Sequence, residues 1–154
     1  MAAFVAQVPL RWIDQDVYGH VNHARAVTLL EEARVAMVFD AAADAGVPTF
    51  AAGLLVVGLH VDYRRQIAYR GSSPGAGTVR VAMDVDELRA ASFRIRYALH
   101  DGPGADAPVA VHAWTRMATY DLAAGHPRRL TPDERALLAR WGDDRPGRDA
   151  PERR

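Results

Sequence analysis

Between Arg11 and Arg34 the chain reads Arg-Trp-Ile-Asp-Gln-Asp-Val-Tyr-Gly-His-Val-Asn-His-Ala-Arg-Ala-Val-Thr-Leu-Leu-Glu-Glu-Ala-Arg, its densest gathering of groups able to act on a substrate. Two carboxylates (Asp14 and Asp16), a glycine at 19 and a helix start near Asn22 and His23 fall within ten residues. Acyl transfer needs this combination: a base or nucleophile for the carbonyl carbon, and donors aimed at the negative charge that develops on its oxygen. A helix N-terminus supplies such donors from backbone amides alone. Asp16 lies at the exit of a strand, and Gly19 permits the tight turn that brings the carboxylate and the amides into one space.

Other readings compete at these positions. Asp14, just before the turn, is read as a cap on backbone amides. Asp16 could cap in the same way; a cap tolerates Asn, whereas a base does not. His20 and His23 stand three apart beside the aspartates and could in principle ligate zinc or iron. One imidazole lies in the turn and the other begins the helix, so they need not converge; both are read as hydrogen-bonding groups and no metal is assigned.

The elements around this segment follow from periodicity. Residues 3 to 12 place Phe4, Ala6, Val8, Leu10 and Trp12 on one face at a strand period. A helical segment runs from Asn22 to about Ala45, with Val27, Leu30, Arg34, Met37 and Ala41 at threes and fours and Gly46 then Pro48 as its stop. At 1.5 Å per residue it is about 36 Å long, and its small and apolar middle calls for burial on most sides. Strand-like runs follow at 54–69, 78–88, 91–100 and 108–120, expected as a long antiparallel meander with one wet face. Thr131, Pro132 and Glu134 form a capping box that opens a short last helix. The order predicts an α+β domain over residues 1–141, a sheet of about five strands round one central helix, with residues 142–154 as a frayed tail. Open sheet edges favour self-association.

Composition narrows the function. The chain has 154 residues, no cysteine, and nineteen basic residues, all arginine, against nineteen acidic ones. Thiolate nucleophiles, disulfides and iron–sulfur clusters are excluded, and a reducing cytoplasm is the expected location. No long-range field draws nucleic acid, and no apolar run reaches the ~18 residues of a membrane span.

The pattern D-x-D-x-x-G-H-V-N-x-A-R over residues 14–25, followed by Glu31-Glu32-Ala33-Arg34, resembles the hotdog-fold acyl-CoA thioesterases, in particular the hydroxybenzoyl-CoA thioesterase-like group. The resemblance continues through Val61-Asp62-Tyr63-Arg64-Arg65 and Ser92-Phe93, covering roughly residues 5–125. It implies a curled antiparallel sheet wrapped round the long helix, a homodimer or homotetramer with the site at the interface, and no cofactor. It further implies that Asp16 is the catalytic aspartate, as general base on water or as nucleophile, and that the His23 backbone amide polarises the thioester carbonyl. Tyr18, Gly19, His20, Val21 and Asn22 match the loop that shapes the substrate site, and Glu31 matches an acidic residue facing the acyl group. Ala26 and Gln66 depart from the aromatic residue and the proline often found at those positions; Ala26 leaves room near the site, which bears on acyl specificity.

Gly71-Ser72-Ser73-Pro74-Gly75 fits the G-x-S-x-G pattern of a nucleophile elbow, but it leads into a strand where an elbow needs a helix, so Ser73 is read as a loop residue. Arg64, Arg65, Arg70, Arg94 and Arg96 could hold CoA phosphates; strand-face charge is the plainer reading of each. The expected function is hydrolysis of an acyl-CoA to free acid and CoA. An acyl-carrier-protein thioesterase and a non-catalytic acyl-CoA-binding module are the alternatives.

Overall fold

In chain order, β1 (Phe4–Pro9) and a 3-10 turn (Trp12–Asp14) precede α1 (His23–Val35). A π-helical turn (Ala36–Ala41) and α2 (Ala42–Asp44) prolong the helical rod, and a second 3-10 turn (Pro48–Ala52) leads to β2 (Leu54–Tyr63). β3 (Thr78–Asp86), β4 (Ser92–His100), β5 (Val109–Asp121), the short β6 (His126–Pro127) and α3 (Pro132–Arg140) complete this computed structural model, which describes residues 3–71, 73 and 76–142. Of the tail expected over 142–154, Gly142 is described and bridges Val85, which takes it out of the tail; residues 143–154 lie outside the described ones, as do Ser72, Pro74 and Gly75.

The architecture is the expected α+β one, a curled antiparallel sheet holding one long helix. The strand order is β1-β3-β4-β5-β2, with β6 against β5, which corrects the simple meander. Of β1 to β5, only β3, β4 and β5 follow one another as neighbours. Residues 64–77 carry the chain from β2 at one edge back across to β3, whose other neighbour is β1. Strand 1 is also shorter than its alternation suggested: Leu10 is buried, but Trp12 is 73% exposed because the chain has already turned into the 3-10 segment. The run expected over 54–69 ends as a strand at Tyr63.

Helix and sheet meet through small side chains. Ala26, Leu29, Leu30, Ala33, Met37, Val38 and Ala42 are buried on the rod. They face the inward row of Val81 and Met83 on β3, Phe93, Ile95 and Leu99 on β4, and Ala113 and Met117 on β5. The buried stripe lies beside the one read from periodicity, since Val27, Arg34 and Ala41 are only half-buried. Alanines at 26, 33 and 42 let the backbone approach the sheet closely, and the π turn re-phases the stripe so that Met37 and Val38 are both covered. The outer face of the sheet is ionic, with Arg94 on Asp86 at 2.7 and 2.8 Å and Arg96 on Asp84 at 2.6 Å.

The capping box of α3 forms as expected: the Glu134 amide donates to Thr131 Oγ1 at 3.1 Å, and the Thr131 amide donates to Glu134 Oε2 at 2.8 Å. Glu134 is nevertheless fully buried and also accepts from Thr49 Oγ1 at 2.7 Å and from both terminal nitrogens of Arg128 at 2.8 Å. Burial pushes its carboxyl up, but the hydrogen bonds from Arg128, Thr131 and Thr49 outweigh burial and leave it below the ordinary value. A depressed folded value means that stability is fully present above the unfolded pKa, about 4.3 for glutamate, and is lost as pH falls through the folded value. Glu134→Ala, which strands Arg128, should cost about 3–5 kcal/mol in urea denaturation at pH 7, and the gap to wild type should narrow as pH falls below the unfolded value.

Candidate active site

The loop after the first 3-10 turn is a tight hairpin. The Asn22 amide donates to the Asp14 carbonyl at 2.9 Å, Gln15 and Val21 form a bridge, and the Asp16 amide donates to the His20 carbonyl at 2.8 Å. Gly19 stands at φ +78°, the left-handed conformation that its place in the turn requires. Asp14 is buried and caps: its carboxylate accepts from the Arg11 amide at 2.7 Å and from Arg11 Nη2 at 2.9 Å. Asp16 Oδ1 accepts from the Tyr18 amide at 2.9 Å and from the His20 amide at 3.4 Å. Among the described residues Oδ2 has no partner, so one oxygen of Asp16 braces the turn and the other is free to accept a further hydrogen bond.

On its outgoing side the loop is pinned to the segment that follows β2. The Val21 amide donates to the Ile67 carbonyl at 2.8 Å, and His20 bridges Ala68. Asn22 is the N-cap of α1, its Oδ1 accepting from the Ala24 amide at 2.9 Å. The His23 amide, at the positive end of the helix, has no acceptor among the described residues. Tyr63 Oη donates to the His23 carbonyl at 2.9 Å and ties the end of β2 to the helix start. Partial burial raises the Tyr63 hydroxyl above its ordinary value.

Beside this helix start lies a cavity of about 260 Å³ walled by Val21, His23, Ala26, Tyr63, Arg64, Arg65, Gln66, Ile67 and Val111. Ala26, Ile67 and Val111 form an apolar floor, each buried. Arg64 pairs with Asp62, while Arg65 stands exposed on the wall. A carbonyl at the helix start would meet the positive end of α1, an apolar group could lie on the floor, and an anion could meet the arginines.

Of the residues singled out from sequence, the structure brings Val21, His23, Ala26, Arg64, Arg65 and Gln66 to the cavity wall. Asp16 and Asn22 lie half-buried on the loop leading to it; Tyr18 and Gly19 are exposed at the loop tip, and His20 is held in the Ala68 bridge. Glu31 lies about 12 Å further along the helix at 1.5 Å per residue, largely exposed and paired with Arg34 at 3.4 Å. A single chain therefore does not bring Glu31 to the cavity. Tyr63, Ile67 and Val111 are wall residues that sequence reasoning did not assign to the site. Val111 carried no signal beyond strand alternation, whereas Tyr63 stands where the apolar run gives way to Arg64-Arg65-Gln66, a change of character that marks the strand end.

A family model described as the thioesterase-like superfamily matches residues 10–141. The chain belongs to that superfamily. Thioester hydrolysis is accordingly its reaction class. No curated protein matches the sequence. Among solved structures, a predicted thioesterase from Bacillus stearothermophilus superposes with a TM-score of 0.76 at 20% identity, covering 95% of this chain and all of that one. A provisionally named thioesterase from Pseudomonas aeruginosa gives 0.71 at 25% identity, over 90% of this chain and 99% of that one. A 1,4-dihydroxy-2-naphthoyl-CoA thioesterase from Synechocystis gives 0.70 at 14%, over 89% and 96%. At such identities the first and third establish a shared fold.

The N-cap gives this thioesterase-like site a stability test. Asn22→Ala should cost about 1 kcal/mol in urea denaturation, and Asn22→Asp should retain most of that, because only the side-chain acceptor for the Ala24 amide is at stake.

Proposed function

We propose that the chain hydrolyses an acyl-CoA thioester to a free carboxylic acid and CoA. The observation that carries this reading is the junction at residues 16–23, where the unpartnered Oδ2 of Asp16 and the unpartnered amide of His23 belong to one hairpin-to-helix connection beside an apolar-floored cavity. Asp16 either takes a proton from water, whose oxygen attacks the carbonyl carbon, or attacks that carbon itself to form a mixed anhydride that water then cleaves. In both routes the oxyanion is held by the His23 amide. The carbon–sulfur bond breaks, and CoA leaves as a thiolate that takes up a proton. Arg65, with Arg64 beside it, supplies the charge for a CoA phosphate. Gly19, His20, Val21 and Asn22 hold the geometry, with Tyr18 at the mouth. Glu31 acts from the helix of a paired chain, which bridges the distance that separates it from the cavity within one chain.

That last role requires self-association, which the edge of the sheet favours. β2 is hydrogen-bonded to β5 on one side only, and Leu55, Val56, Val57 and Leu59 are exposed along it. An uncovered apolar edge strand is a template for another strand. We assign it to a second copy of this chain, with CoA contacting both. Among the described residues no helix is long and apolar enough to cross a membrane.

Purified protein incubated with acetyl-, hexanoyl- and benzoyl-CoA should release thiol from at least one of them. Asp16→Asn keeps an oxygen for the Tyr18 and His20 amides, so the variant should stay folded while kcat falls by about 10²–10⁴. CoA esters that bind without thiol release from wild type would leave a binding module in place of an enzyme. Turnover confined to an acyl-carrier-protein thioester would move the substrate to that carrier. Light scattering should give wild type at least twice the 16.8 kDa chain mass. Val57→Lys, which places a charge on the open edge, should shift the protein toward a single chain; a wild type that runs as a single chain overturns the pairing.

A further inference from the structure

The segment after β2 forms part of the cavity wall and receives the Asp16 loop, yet it is no longer a strand. At its start, the Arg64 and Arg65 amides both donate to the Ala110 carbonyl, at 2.8 and 3.2 Å. At its far end, Asp101 holds it. Arg70 Nη1 and Nη2 donate to Asp101 Oδ1 and Oδ2 at 2.7 Å each, a two-pronged pair, and the Ala68 amide donates to Oδ1 at 3.4 Å. The Asp101 side chain is only 12% exposed, against 49% for Arg70, so this pair is less screened than an open surface bridge.

Asp101 is itself fixed from behind. Its amide donates to the Pro108 carbonyl at 2.9 Å, and the preceding His100 donates through Nδ1 to the Ala107 carbonyl at 2.7 Å while Arg80 Nη1 meets its Nε2 at 3.1 Å. The carboxylate thus projects from the residue that follows β4, where these hydrogen bonds hold the backbone. Residue 68, which it grips, bridges His20, and residue 67 accepts from the Val21 amide. A chain of hydrogen bonds, the 3.4 Å link from Ala68 to Asp101 its longest, therefore runs from the end of β4 through Asp101 and Ala68 to the loop that carries Asp16 and ends at His23.

We infer that Asp101, with Arg70, is a positioning residue of the active site, bracing residues 67–70 so that they hold the Asp16 loop in register. The inference rests on the reading of Asp16 as the catalytic group. Displacing reacting groups by about 1 Å can cost about 10²-fold in rate, and a brace of this kind acts on register without touching substrate.

The test uses the full chain and whichever of hexanoyl-CoA and benzoyl-CoA wild type turns over faster. Asp101→Asn should lower kcat about tenfold with KM changed less than about twofold, and in an Asp16→Asn background it should lower the residual rate no further. In the same proteins, amide exchange at Val21 should quicken at least about tenfold while the central strand amides of β4 stay as protected as in wild type. Arg70→Met leaves Asp101 on the Ala68 amide and should move both readouts in the same direction by less, and it serves if Asp101→Asn does not fold. Unchanged kcat and unchanged Val21 protection overturn the brace. So does slowing that is equally large in the Asp16→Asn background, which marks a general loss of structure. If wild type releases no thiol at all, the thioesterase reading fails, while the exchange measurement still decides for or against the brace.

Discussion

The seat of the long helix in the sheet is the constraint on which everything else depends. Ala33, Met37 and Ala42 are wholly buried there, and Ala26 nearly so. Apolar burial is worth roughly 25 cal/mol per Å², and a close-packed interior resists shifts of even a methylene. The helix therefore can neither rotate nor slide cheaply. Since Ala26 lies one turn from His23, the packing that fixes the stripe also fixes where the helix begins and where its unpaired amides point. The site borrows its rigidity from the core.

Much of this was legible in the sequence because it rests on local rules. The capping box at Thr131 and Glu134, the glycine turn at 19 and the helix start at Asn22 follow from short-range backbone chemistry, and all three form. The family pattern over residues 14–34 pointed to the superfamily that matches residues 10–141. What stayed hidden depends on long-range placement. That β2 pairs with β5 at the far edge is set by where residues 64–77 can travel, and no alternation pattern encodes it. Trp12 continued the strand period on paper yet is exposed, because the ion pair and backbone cap between Arg11 and Asp14 turn the chain before it arrives. Glu134 read as a cap and no more, since the partners that make it a buried anion, Thr49 and Arg128, come from outside its helix. The place of Ile67 and Val111 in the cavity wall was invisible for the same reason.

The site relies on backbone more than on side chains. The His23 amide, the Ile67 carbonyl and the amides gathered by Asp16 Oδ1 are main-chain groups, so the geometry is insensitive to residue identity except where φ or a cap is demanded. Gly19 and Asn22 are those exceptions. Chains sharing only 14–25% of their residues superpose on this one with TM-scores of 0.70 to 0.76, as expected where the fold is fixed by helix and sheet packing rather than by particular surface side chains.

Charge is distributed to match. The chain is neutral overall, with nineteen charges of each sign, so attraction for an anionic substrate must come from local imbalance. Most arginines on the outer sheet face are matched, Arg94 by Asp86 and Glu87, and Arg116 by Glu87. That ionic face stays wet, while the apolar edge of β2 does not repel a partner. At the cavity wall the balance shifts: Arg64 is matched by Asp62, but Arg65 adds a cation beside the positive end of α1. Within a Debye length of about 8 Å, such a pairing of helix end and guanidinium outweighs the neutrality of the whole, and it makes the cavity wall locally positive.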